Sequence, residues 1–104
     1  MNKNKLILHI ANEKEWQTGE REGSYKGDTL DTEGFIHCSK LEQVEEVAEH
    51  LFKGRKNLKL LRIDSSKVIP KIIYEDAGNG KLYPHIFGPL NLDAVISIED
   101  YSVE

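Results

Sequence analysis

A single cysteine cannot close an internal disulfide, and Cys38 therefore fits a reducing, cytoplasmic setting better than a secreted one. No apolar run is longer than five residues, so nothing in the chain is long enough to span a bilayer as a helix. The polar, basic start, Met1 to Lys5, is followed by no apolar segment of leader length, and a secretory signal is not expected. No Walker loop, G-x-G-x-x-G or G-x-S-x-G pattern is present. Internal repeats, linkers and low-complexity stretches are missing as well. Nor is there an excess of cations: the net charge of −4 argues against nucleic acid as a partner. The densest basic stretch, Lys53 to Lys59, reads as a solvated turn rather than a phosphate patch.

What remains is 104 residues with 38% hydrophobic and 31% charged content, an ordinary soluble composition and enough chain for one core. The expectation is one domain over 1–104, with nothing that demands more than a monomer.

Leu6 to Ala11 reads as a buried strand with His9 its one polar residue. Asn12 and Glu15 cap a short helix anchored by Trp16 and stopped at Gly23. Tyr25 to Glu33 reads as a polar loop. In Glu33–Ser39, alternation puts Phe35 and His37 on one face of a strand, Ile36 and Cys38 on the other. Ser39 and Glu42 form a capping-box pattern for a helix from about Lys40 to Lys53. Its apolar stripe is Leu41, Val44, Val47, Ala48, Leu51 and Phe52, with His50 facing away.

Asn57–Ile63, Lys71–Glu75, Leu82–Phe87 and Ala94–Ile98 are the later strands, the last with Ala94, Ile96 and Ile98 on one face. Asp76–Gly80 is turn chemistry, and Pro84 and Pro89 imply irregular edges. The sum is an α+β fold with two helices in the N-terminal half and a mainly antiparallel or mixed sheet.

Three of the four histidines, His9, His37 and His85, lie in strand-like segments that would hold them rigidly. The bland alternative is that each ties a loop from a core or rim position. A zinc site built from these histidines with Cys38 or Glu75 is disfavoured, because no close ligand spacing occurs and His37 and Cys38 alternate apart. Cys38 reads as a small buried apolar residue rather than a nucleophile. Glu75 is the carboxylate placed for acid–base work or ribose binding, its alternative being a solvated hairpin end. A helix starting at Ser39 would offer N–H groups to an anion. Tyr83 and Phe87 could stack on a flat ring, with core packing the plainer reading for Phe87.

The segments Leu8-His9-Ile10, Glu33–Ser39 and Leu82–Leu90 together resemble a small bacterial domain-of-unknown-function family grouped with the ADP-ribosyltransferase-like superfamily. The likeness runs from about Ile7 to Ile98. It implies a split two-sheet α+β fold with NAD in a cleft between the sheets. His9 matches the first-strand position that contacts ribose, His37 the second motif, and Glu75 or His85 the region of the third. The toxin-type His-Tyr-Glu triad does not align; the histidine-rich set is closer to the RNA 2′-phosphotransferase branch, though the acidic charge does not suit tRNA.

The sequence thus points to a protein that binds NAD or an ADP-ribose-like nucleotide, with glycosyl transfer or hydrolysis as the enzymatic version. The catalytic candidates are His37, Glu75 and His85; the nucleotide-binding candidates are His9, His37, Ser39, Tyr83 and His85. No resident metal or firm cofactor is expected. The rivals are a non-catalytic nucleotide-sensing module and a metal-dependent enzyme.

Overall fold

The computed structural model describes residues 5–103; Met1–Asn4, most of the basic start, and Glu104 lie outside the described residues. Strand β1 (Leu6–Asn12) pairs antiparallel with β4 (Leu58–Asp64), which pairs in turn with β8 (Val95–Tyr101). A second three-stranded sheet has the order β3 (Ile36–His37), β6 (Leu82–Phe87), β5 (Lys71–Asp76). A short ribbon joins β2 (Ser24–Tyr25) to β7 (Leu90–Asn91). Among the described residues every strand pairing is antiparallel, and the architecture is α+β.

The first sheet is apolar on both faces, as the near-continuous run Leu6–Ala11 implied. Leu8, Ile10, Leu58 and Leu60 pack under helix α3 (Val44–Leu51) with Val44 and Ala48. Ile7, Ala11, Leu61 and Ile63 face the other way and share a core with Trp16, Tyr25, Ile36 and Ile86. Ile36 and Ile86 belong to the second sheet, so apolar side chains fill the space between the sheets. The cleft expected there is closed.

Helix α1 (Glu13–Glu22) forms as its ends foretold. Asn12 Oδ1 accepts from the Lys14 N–H at 2.9 Å, and Gly23 closes the helix at φ 86°. Buried Gly19 lets the backbone of β2 approach the helix closely. The segment read as one polar loop is more ordered than expected: it holds β2 and a single helical turn, α2 (Leu30–Glu33). Among the described residues there are thus three α-helices, all in the first half of the chain.

Three further expectations are corrected. Ser39 does not cap a helix; its N–H and C=O both pair with Leu8, at 2.7 and 2.8 Å, and α3 begins only at Val44. Two main-chain hydrogen bonds to a strand edge outweigh one capping bond, and Gln43 bridges the intervening turn by accepting from the Lys40 N–H and donating to Leu82 O. Leu41 and Leu51 consequently fall outside the apolar stripe and are exposed. Ala94 is buried in the turn that precedes β8; Ile96 is the bulged residue between the partners of Arg62 and Ile63, and Ile98, although opposite Leu61, lies on the outer strand of its sheet, so the two isoleucines are 46% and 42% exposed.

Pro84, expected at an irregular edge, lies in the central strand of its sheet. Its carbonyl accepts from the Cys38 N–H at 3.0 Å, so its missing N–H faces the same side, where β3 has already ended.

Candidate functional site

Strand alternation and register decide which side chains meet. His37 on β3 lies opposite His85 on β6, and His85 opposite Ile73 on β5. Glu75 pairs with Tyr83 one step along, on the same face. Phe35 precedes β3 on the His37 side. The face of the second sheet away from the shared core therefore gathers Phe35, His37, Glu75, Tyr83, His85 and Phe87.

Each of these two histidines has its own carboxylate. His85 Nδ1 donates to Glu75 Oε1 at 2.8 Å, and His37 Nε2 to Glu33 Oε1 at 3.2 Å. The hydrogen placement follows from the acceptor, since a carboxylate takes a proton donor. A fixed Nδ1–H leaves His85 Nε2 with a lone pair, and no hydrogen bond joins that atom to a described residue. The two imidazole centroids are 5.1 Å apart, edge to face. Phe35 packs against both, stacked on His85 at 4.2 Å and tilted against His37 at 4.7 Å. A carboxylate that orients an imidazole and leaves its second nitrogen open is the arrangement a general base requires.

His9 is not part of this face. Its Nδ1 donates to the His37 carbonyl at 2.5 Å and its Nε2 accepts from the Tyr25 hydroxyl at 2.7 Å, so neither ring nitrogen is left for a ligand. Burial holds its pKa at about 4, well below the ordinary imidazole range; the hydrogen bond to His37 acts in the opposite direction and is the smaller influence. Burial likewise pushes the Tyr25 phenol up, keeping it a donor. Ser39 is buried, its main chain held in the bridge to Leu8. Burial also raises the Cys38 thiol, which excludes a thiolate near neutral pH.

Tyr83 reaches the face but spends its hydroxyl on Asn79 Nδ2, which donates to it at 3.0 Å. Phe87 packs on Phe35 at 5.2 Å. His37, Glu75 and His85 are thus brought together, with Tyr83 beside them, while His9 and Ser39 are held elsewhere. Two surface depressions lie apart from the face. One, beside α1, includes Glu15, Glu22, Lys26 and Asp31; the other, beside α3, includes Glu45, Glu49 and Tyr101. Among the described residues no group of three His, Cys, Asp or Glu side chains is arranged to hold a metal ion. Among them, too, no helix is long and apolar enough to cross a membrane.

Sequence reasoning missed Phe35, Glu33 and Tyr25 as participants. Phe35 and His37 share a face by simple alternation, a usable signal. Nothing in the spacing marks Tyr25 as the partner of His9.

A family model described as "Protein of unknown function (DUF952)" matches residues 10–98. The chain belongs to that family. The same fold occurs in protein CC0527 from Caulobacter crescentus, whose crystal structure superposes with a TM-score of 0.87 at 31% identity, covering 95% of this chain and 88% of that one. Its solution NMR structure gives 0.80 at 31% identity, with 96% and 87% covered. No curated protein matches the chain significantly. For this DUF952 chain, the family and its neighbours carry a fold, and any activity has to be argued from the face just described.

Proposed function

We propose that this DUF952 protein binds NAD or an ADP-ribose-like nucleotide on the open face of the β3–β6–β5 sheet. The observation that carries the reading is the Glu75–His85 pair at 2.8 Å, with His85 Nε2 unbonded among the described residues and the His37 ring 5.1 Å away. Two imidazoles that close can both reach a single ribose or phosphate group on the face, each with a ring nitrogen not used on its carboxylate. Phe35 and Tyr83 supply flat surfaces for a nicotinamide or adenine ring.

The enzymatic version is cleavage of an N-glycosidic bond. The bond breaks with its electron pair going to the leaving base. Water, or another acceptor, adds at the anomeric carbon, and His85 Nε2 takes its proton. The passing oxocarbenium-like cation is stabilised by the Glu75 carboxylate, whose side chain is 43% exposed. His9 serves this site through the main chain of His37 rather than by touching a nucleotide.

The test is nucleotide affinity in a folded His37→Ala variant, with the amide spectrum as the check on folding. Loss of binding supports the assignment; unchanged affinity would falsify it. A second reading, a binding module without chemistry, is favoured by the openness of the face. Nicotinamide release during prolonged incubation with NAD excludes that reading, and its absence with binding intact excludes the enzymatic one.

A further inference from the structure

Register makes His37 and His85 direct cross-strand neighbours on the open face, with imidazole centroids 5.1 Å apart. Each ring spends one nitrogen on a carboxylate, His37 Nε2 on Glu33 and His85 Nδ1 on Glu75. The other nitrogen of each, His37 Nδ1 and His85 Nε2, has no hydrogen-bond partner among the described residues. In a neutral ring that nitrogen carries a lone pair. Two neighbouring rings that each keep an acceptor suit a Lewis-acidic cation. Among the described residues neither Glu33 nor Glu75 pairs with a lysine or arginine, so the local charge favours a cation as well.

We propose that His37 and His85 form a two-histidine site for a divalent transition ion of the zinc, nickel or cobalt class. Imidazole nitrogens select those ions over magnesium and calcium, which take oxygen ligands. Two imidazoles bound to one ion in neighbouring positions, at about 2.1 Å per nitrogen, stand with their centroids about 5 Å apart. That matches the spacing of this pair. A carboxylate on the second nitrogen is the usual support of a metal-bound histidine, because it fixes the ring and makes the ligating nitrogen more basic. Here both rings have one.

The protein supplies two ligands rather than three, so the remaining positions go to water or to oxygen atoms of a bound molecule, and the ion is exchangeable. Spacing along the chain hides the pair, which meets only through the β3–β6 ladder. The site does not rest on the nucleotide reading. An ion there takes the lone pair that glycosidic cleavage asks of His85, so metal ligand and general base are alternative states of one nitrogen.

Calorimetric titration of the untagged protein with zinc at neutral pH, with no nucleotide present, tests the site, and the amide spectrum checks folding. The expected result is saturable binding that His37→Ala weakens about tenfold or more. The His37 side chain is 45% exposed, so this variant should keep the fold even if His85→Ala does not. Glu75→Gln, which keeps both ligands and removes a supporting charge, should weaken zinc about tenfold. His50→Ala, on the outer side of α3, should leave the affinity level, and magnesium at the same concentration should give no response. Zinc affinity unchanged in His37→Ala, dependence on His50, or an equal response to magnesium overturns the site. Because no nucleotide enters, its failure leaves the nucleotide reading standing, and the reverse holds too.

Discussion

The His9 imidazole donates from Nδ1 to the main-chain carbonyl of His37 at 2.5 Å, tying the first strand to the strand that bears the open face. A carbonyl accepts only, so the proton sits on Nδ1 and Nε2 is left to accept from Tyr25. The Leu8–Ser39 bridge runs alongside. Together these contacts close the edge between the two sheets and set where His37 stands.

This arrangement makes stability depend on pH. His9 is depressed from 6.5 to about 4 by burial, so between those values the unfolded chain takes up a proton that the folded chain does not. Stability from this group is complete above pH 6.5, falls as pH drops through the window, and levels off below 4, a loss of about 3 kcal/mol. Urea unfolding of wild type and His9→Gln from pH 7 to 4 checks it. The wild type should lose more stability across the window than the variant, and parallel slopes would count against a buried neutral His9.

Tyr25→Phe removes the hydroxyl that satisfies His9 Nε2 and leaves that buried nitrogen without a donor. The expected cost is about 1–3 kcal/mol in urea unfolding, with the fold retained. An unchanged midpoint would mean that the bond contributes little.

At Gly19 an added Cβ would meet Ser24 O and Tyr25 Cα, each at 3.1 Å. Alanine ordinarily stabilises a helix, but here the neighbour is the backbone of β2, held by its ladder to β7 and by the Tyr25–His9 bond. Gly19→Ala should therefore destabilise by about 1 kcal/mol net of its helix propensity. A rise in thermal midpoint would show that β2 can yield.

Much of this was legible. β6 follows the Leu82–Phe87 segment, β1 follows Leu6–Ala11 to within a residue, and α1 has the caps that Asn12 and Gly23 advertise. The failures share a cause: tertiary partners replaced local ones. Ser39 carries a helix-start pattern, but Leu8 claims its backbone. Ala94, Ile96 and Ile98 alternate on paper, but Ala94 falls in the turn before β8, Ile96 in a bulge and Ile98 on an outer strand. Of the proposed site residues, His37, Glu75 and His85 share a face because alternation is local and register follows from the β5–β6 hairpin. His9 looked the same as the other strand histidines in sequence; only its contacts with Tyr25 and the His37 carbonyl distinguish it.

Glu75→Gln tests the orienting role of the carboxylate. The amide can turn its oxygen toward His85 Nδ1, so the fold should be kept while the charge is lost. Any nicotinamide release from NAD should fall by about 10²-fold or more, with a smaller effect on affinity. Equal turnover by the variant would remove Glu75 from the chemistry.

The central claim is that the open face of the β3–β6–β5 sheet is a nucleotide site, and a two-dimensional amide NMR titration with NAD, ADP-ribose and a nucleoside monophosphate tests it most directly. Saturable shifts are expected at Phe35, His37, Glu75, Tyr83 and His85, with the acidic surfaces around α1 and α3 unmoved. Spectra unchanged at millimolar ligand, or shifts centred on α1 or α3, would contradict it.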